Sequence, residues 1–372
     1  MTTVNRRAFL ARTGGAVAAG AAASALGAAA ADTVAVGCIG VGGRGTALLN
    51  ALVNVPGVAV QAICDIDAGA RDRAAGIVKA KNQGAPAQFD DWKKMLEVKD
   101  LDAVVSALPC DLHAACYLDV IAAGKDLYGE KPMCITIPDC DKVIAATRAG
   151  KRIVQIGFQR RADPRFIETM KQVHEGELGE LIEGRITWSN AWGPLGGWFG
   201  LRARSGDWMV EQACHNWDVM NWANRSLPVR AMGLGRDGLF TNVQPERTVH
   251  DYYAGIVQYA NGVIVNIIHS WVVPNRFNDE HTRLIGTRAG IDFNSGTFSY
   301  RPELNKPDRA GHTHEGNIDS THLGLAAFAE SVRSRKEPVA TVENGKAAVL
   351  ACLLVREAVY TRKVVEAKDI GA

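Results

Sequence analysis

The stretch Gly40-Val41-Gly42-Gly43-Arg44-Gly45 constrains the fold more than any other part of this sequence, because of what flanks it. It follows the apolar run Val34–Ile39, which reads as a buried strand, and it opens residues 44–53, which read as a helix. A glycine-rich turn in that setting permits a tight reversal, close approach of a pyrophosphate to the backbone, and close packing of helix on strand. It also aims the unpaired amides of the helix start at the phosphates. Gly40, Gly42, Gly43, Arg44 and Gly45 therefore read as dinucleotide contacts. In a chain with 38 glycines the spacing alone is weak; the strand–turn–helix context gives it force. Asp65 adds a second sign. It follows another apolar run, Val58–Cys64, where a carboxylate can bind the adenosine ribose diol. A carboxylate repels a 2′-phosphate, so NAD is expected and NADP is disfavoured, although Arg71 and Arg73 lie nearby.

The alternation continues, with residues 68–81 and 112–123 reading as helices and residues 102–108 as a strand. Short apolar runs separated by amphipathic helices imply a doubly wound parallel sheet covered on both faces. Further on the pattern changes. Asn261-Gly262 separates two apolar strand-like runs, a hairpin signal, and residues 283–293 read as another hairpin. Residues 343–360 have helical periodicity. At 372 residues the chain can build two cores. A net charge of +2 without long charged blocks gives no argument for nucleic acid or a charged membrane surface. Eight cysteines without C-x-x-C spacing read as reduced and buried, with a Cys110–Cys116 or Cys134–Cys140 bridge left open.

The N-terminus carries Asn5-Arg6-Arg7-Ala8-Phe9-Leu10 and then a run of Ala and Gly, which together resemble a twin-arginine export signal. The run is too short and too rich in Ala and Gly for a membrane span, and an Ala-x-Ala stretch precedes Asp32. Residues 1–31 are accordingly set apart as a signal peptide. Export to the periplasm, the twin-arginine machinery as a partner and no stable membrane insertion are expected. That route moves folded proteins, which suits a chain that loads its cofactor before departure.

Residues 108–132, LPCDLHAACYLDVIAAGKDLYGEKP, resemble the Gfo/Idh/MocA family of glucose–fructose oxidoreductase, inositol dehydrogenase and rhizopine-catabolism proteins. Pro109 and His113 match its Pro-x-x-x-His, and Glu130, Lys131 and Pro132 its Glu-Lys-Pro. The likeness runs on through GFQRR at 157–161 and EQACHNWD at 211–218, covering essentially the whole chain after the leader. It implies an α/β architecture: a Rossmann domain at residues 32–155 and an α/β domain at 156–340 with a large open, mostly antiparallel sheet. Residues 341–372 would then form a C-terminal helix packing back on the Rossmann domain. A homo-oligomer, dimer or tetramer, is implied as well.

The resemblance also implies roles. Lys131 would exchange a proton with a sugar hydroxyl while hydride leaves the same carbon, its pKa depressed by burial and by an oxidised nicotinamide. Glu211 and His215 are four apart in a helical stretch and share a face. They match the family's Asp-x-x-x-His with a longer carboxylate, and Asp218 supports them. Pro109, His113, Glu130, Lys131 and Gln159 are expected at the cofactor. Arg160, Trp198, Arg202, His215, Asp218 and Lys131 are expected at the substrate. Trp188, Trp192, Trp198 and Trp208 crowd one Gly- and Arg-rich segment, where some offer flat faces to sugar C–H groups and others pack inward. Glu211, His215 and Asp218, or His312, His314 and Glu315, imitate ligand sets, but no H-E-x-x-H joins them and no metal is expected.

Together these features predict a periplasmic NAD(P)-dependent oxidoreductase of a sugar, cyclitol or polyol, with a tightly bound and internally recycled nicotinamide. The alternative is a redox-neutral, NAD-dependent glycoside hydrolase or lyase that acts through a transient 3-keto sugar. A non-catalytic sugar-binding protein is a third reading, disfavoured by the presence of both Lys131 and His215.

Overall fold

The computed structural model describes residues 33–81, 83–312 and 318–372. The leader, and His314 and Glu315 of the second histidine cluster, lie outside the described residues. Strands β1 (Val34–Ile39), β2 (Val58–Cys64), β3 (Ala87–Phe89), β4 (Ala103–Ser106), β5 (Asp126–Gly129) and β6 (Val154–Ile156) form a sheet in the order β3-β2-β1-β4-β5-β6. Every pairing in it is parallel. Helices cover both faces, so β1, β4 and β5 are buried at every residue, and β1 reads as a continuous apolar run. The strand order reverses between β1 and β4, and ligands enter such sheets at the carboxyl ends beside that point. Helices α1 (Gly43–Leu52), α2 (Ala68–Ala80), α3 (Trp92–Leu96), α4 (His113–Ala122) and α5 (Ile137–Gly150) complete this layer.

The second domain begins with α6 (Pro164–His174). Its strands are β7 (Leu181–Ser189), β8 (Pro228–Arg236), β9 (Tyr252–Tyr259), β10 (Ile264–Ser270), β11 (Asp279–Gly286), β12 (Ala289–Asp292) and β13 (Thr297–Tyr300). With β14 (Val365–Glu366) they form an eight-stranded sheet in the order β13-β12-β11-β7-β10-β9-β8-β14. Only the β7–β10 pairing is parallel. Asn261-Gly262 turns β9 into β10, and β11 turns into β12, so both hairpins form where the sequence signals them. Three helices, α7 (Arg202–Ser205), α8 (Trp208–Glu211) and α9 (Cys214–Asn224), fill the connection between β7 and β8.

The ends of the second segment differ from expectation. Helix α10 (Ser320–Ser334) lies within residues 156–340 yet packs on the first domain. Its Leu325, Phe328, Ala329 and Val332 join Val34, Val36, Leu48 and Leu49 in one apolar cluster. Helix α11 (Val342–Thr361) does not dock on the Rossmann domain alone; it lies against β8, β9 and α9 as well as α5 and β6. Its residues Ala348, Val349, Leu350, Ala351, Cys352, Leu353, Leu354 and Val355 are all buried. A helix apolar around its whole circumference must be enclosed on every side, and only the junction of the two domains encloses it. All eight cysteines are buried free thiols. Among the described residues no helix is long and apolar enough to cross a membrane.

Candidate functional site

The glycine loop leaves β1 and enters α1 as its spacing predicts. Gly40 adopts φ +76, and a Cβ there would overlap the Ala107 carbonyl at the end of β4. A Cβ on Gly45 would overlap the Gly40 carbonyl, so these two glycines are required by packing. Gly42 and Gly43 differ: a Cβ on either meets nothing within 4 Å. The open side of the loop faces a cleft of about 530 Å³ that is also lined by Asp65, Pro109, Glu130, Lys131 and Glu211. Asp65 is held ready by two backbone donors, Val41 N at 2.8 Å and Asp67 N at 2.9 Å. Arg71 is spent on the Asp65 carbonyl at 2.6 Å. The residues therefore fit a dinucleotide: open backbone for the pyrophosphate and a fixed carboxylate for the ribose.

Arg44 lines the cleft and also braces it, whereas His113 departs from its expected role. Arg44 Nε donates to Glu130 Oε1 at 2.7 Å, tying the glycine loop to the end of β5. Glu130, almost fully buried, uses its other oxygen to accept from Lys131 N at 3.1 Å. His113 does not line the cleft. Its ring nitrogens sit 2.6 Å from the Pro132 carbonyl and 2.9 Å from the Leu108 carbonyl. It latches the loop after β4 to the loop after β5, and so shapes the cofactor wall from behind.

Lys131 extends from the carboxyl end of β5 across the cleft to the second domain. Its Nζ donates to Glu211 Oε1 at 2.7 Å and to the Glu211 carbonyl at 2.8 Å. Burial pulls its pKa down, but the Glu211 carboxylate outweighs burial and holds it above the usual lysine value. The expected depression is thus absent from the free site, because the negative partner lies closer than any positive charge. Glu211 and His215 do not share one helix. Helix α8 stops at Glu211 and α9 starts at Cys214, and His215 N bonds to the Gln212 carbonyl. That break leaves the Glu211 carbonyl free to accept from Lys131.

His215 lies with its ring against Phe158 and Trp188, centroids 6.1 and 6.2 Å away, and the ring nitrogens make no hydrogen bond with the described residues. Burial first, then the charges of Lys131, Arg160 and Arg44, hold it well below its usual pKa, so the ring is neutral. Asp218 neither orients it nor lines the glycine-loop cleft. Both its oxygens accept from Arg161 Nε, at 2.9 and 3.0 Å, in a buried pair. Gln159 and Arg160 line an adjoining cavity of about 440 Å³ with Glu280 and Thr321, not the glycine-loop cleft. Arg160 lies between the Phe166 and Trp188 rings and pairs with Glu280.

The tryptophan segment divides. Trp208 stacks on Trp271 at 4.0 Å in a small buried cluster, whereas Trp192 is largely exposed. Trp198, expected at the substrate, stacks on Phe199 and lines the nucleotide cleft. Arg202 points away, its guanidinium 4.3 Å above the Tyr360 ring. Arg204, two residues and over half a helical turn further on, faces the cleft and pairs with Asp111 at 3.2 Å. Phe199, which lines the cleft from the second domain, is not expected from the sequence, because no local pattern marks a wall assembled from two domains. Among the described residues no three His, Cys, Asp or Glu side chains converge as metal ligands.

Residues 34–158 match the oxidoreductase family with an NAD-binding Rossmann fold, and residues 166–292 match the GFO/IDH/MocA C-terminal domain. The chain belongs to the Gfo/Idh/MocA oxidoreductase family. Among Gfo/Idh/MocA relatives, inositol 2-dehydrogenase of Salmonella typhimurium (strain LT2) is 34% identical over 159 residues, 41% of this chain and 46% of that protein. The chain thus matches about half the length of that relative. A glycosyl hydrolase family 109 protein of Shewanella pealeana is 28% identical over 42% of this chain and 35% of that protein. Levoglucosan dehydrogenase, solved in complex with NADH, shares the fold with a TM-score of 0.80 at 17% identity, over 90% of this chain and 99% of that one.

Proposed function

We propose that this chain is an NAD-dependent oxidoreductase of a sugar, cyclitol or polyol. One observation carries the reading: the open glycine loop and Lys131 line the same cleft, and the charge of Lys131 reaches the neutral His215 ring. A bound nicotinamide supplies the hydride chemistry. Lys131, held charged by Glu211, is set to protonate a carbonyl oxygen in the reducing direction. In the oxidising direction it takes up the hydroxyl proton once it has itself lost one, which a bound positive charge alongside favours. His215, neutral and without a protein partner, is available to hydrogen-bond the same oxygen. Asp65, fixed by Val41 and Asp67, favours NAD over NADP.

The wall formed by Trp198, Phe199 and Arg204, the last held by Asp111, supports a tightly held cofactor, because it brings second-domain atoms onto the nucleotide cleft. A cofactor that stays bound suits the arginine-led leader and loading before export; Arg6→Lys with Arg7→Lys should then leave the protein in the cytoplasm on cell fractionation. A second reading, redox-neutral glycoside cleavage, is favoured by the family 109 relative. One experiment separates the two. The purified chain is mixed with polyols, sugars and glycosides without added cofactor, and the near-ultraviolet band of reduced nicotinamide is followed. A lasting change marks a net oxidoreductase, and aglycone release without one marks the second reading. No turnover of any of them, with sugar binding unaffected by Lys131→Ala, defeats both.

The outer face of the eight-stranded sheet supports self-association. Met232, Leu234, Ile256, Ile264 and Ile268 on β8, β9 and β10 are each at least 40% exposed, where a solvated sheet face carries polar residues. A second copy of this chain is the proposed cover. Leu234→Asp combined with Ile256→Asp should give a smaller species by sedimentation; an unchanged mass would count against it.

A further inference from the structure

We infer that Asp207 is a positioning residue: its strained backbone, clamped by the C-terminal helix, fixes Glu211 against Lys131. Asp207 has φ +81 and ψ 160, a region that residues bearing a side chain avoid and glycine occupies freely. It does not line the nucleotide cleft, so contact with a ligand there does not account for the strain. What holds it is a fully buried carboxylate with several donors. Oδ1 accepts from Trp208 N at 2.6 Å, and Oδ2 accepts from the Tyr360 hydroxyl and from His250 N at 3.3 Å. Arg356, one turn before Tyr360 on α11, donates to the Gly206 carbonyl at 2.9 Å. Two consecutive residues, Gly206 through its carbonyl and Asp207 through its carboxylate, are thus pinned to α11.

The constraint passes forward through a single turn. The Asp207 carbonyl accepts from Val210 N at 2.9 Å and from Glu211 N at 2.8 Å, so the conformation of Asp207 sets where α8 starts and where it stops. Lys131 uses both the carbonyl and the carboxylate of Glu211. A shift of α8 by one residue would break both bonds together. Residue 211 therefore needs an exact backbone position as well as the right side chain, and that requirement explains a costly conformation outside the nucleotide cleft.

The consequence for turnover rests on the reading of Lys131 as the proton-transfer group; the positioning itself is tested without it. In the full chain, acylation of Lys131 is followed by peptide mass spectrometry at one mildly alkaline pH. Lys125, buried and bonded to the Val98, Lys99 and Leu101 carbonyls, serves as the internal reference for general loosening. Asp207→Gly keeps the backbone accessible and removes the carboxylate, and Tyr360→Phe removes one clamp. Both should label Lys131 about tenfold faster, as a fall of about one unit in its pKa requires, with Lys125 and NAD affinity unchanged. Glu211→Gln gives the scale of full loss. Unchanged Lys131 labelling in both variants, with Glu211→Gln fast, overturns the inference, and so does equal acceleration at Lys125. Should Asp207→Gly not fold, Tyr360→Phe decides alone. Full turnover in Lys131→Ala would end the functional reading and leave the labelling result standing.

Discussion

At the scale of the residue, the site depends on how one buried cation is compensated. Lys131 and Glu211 have side chains only 13% and 12% exposed, so removing either partner strands the other away from water. Glu211→Gln should cost about 3 kcal/mol of folding stability at neutral pH, read by denaturant unfolding. The sign against pH follows from the raised lysine pKa. The stabilisation is complete below the unfolded lysine value and is lost only as pH rises through the higher folded one. The same variant lowers the pKa of Lys131, so the alkaline rise in oxidising activity should begin at lower pH than in the parent; an unshifted rise would argue against Lys131 as the proton acceptor. His113 shows how a motif residue acts without touching a ligand. Its spacing from Pro109 is legible in the sequence, whereas its two carbonyl partners are set by how the β4 and β5 loops meet.

At the scale of the element, the glycine loop combines two requirements that the G-x-G-x-x-G pattern does not separate. Gly45 lets α1 pack against the loop, and Gly42 leaves room for a ligand. Gly45→Ala should therefore destabilise the fold by about 1–3 kcal/mol, seen as a lower thermal midpoint. Gly42→Ala should leave that midpoint in place and weaken NAD binding in a titration. Equal effects of the two would contradict this division. Helix α8 is the second informative element. Periodicity placed Glu211 and His215 on one face of one helix, but the chain breaks at Gln212 and Ala213 and turns them to different neighbours. Nothing in the four-residue spacing distinguishes a continuous helix from two short ones, because the break is stabilised by Lys131 from another domain.

At the scale of the whole molecule, helix α11 joins the two domains into one core, and buried neutral histidines make that core sensitive to acid. His269, wholly buried between the Trp188 and Trp208 carbonyls, is held at about 4, and His215 lies well below its usual value; burial is the first cause for both. A folded pKa below the unfolded one gives stability that is complete above the unfolded value, about 6.5, and is lost as pH falls toward the folded value. Each such histidine should remove about 1.4 kcal/mol per pH unit across that window. Thermal unfolding should therefore show a lower midpoint at mildly acidic than at neutral pH. A flat profile there would mean that these rings are charged in the fold.

The sequence by itself determined the parallel nucleotide-binding sheet, the glycine turn, Asp65 at the end of β2 and both hairpins. These depend on hydrophobic period and turn chemistry over fewer than about ten neighbouring residues, and such signals survive in a linear reading. Tertiary structure alone decided which charges meet. Asp218 went to Arg161, Arg44 to Glu130 and Lys131 to Glu211, because each cation paired with the carboxylate that packing brought within reach. It also decided where α10 docks and what α11 clamps, since a helix shows its apolar faces in the sequence but not the surfaces that will cover them.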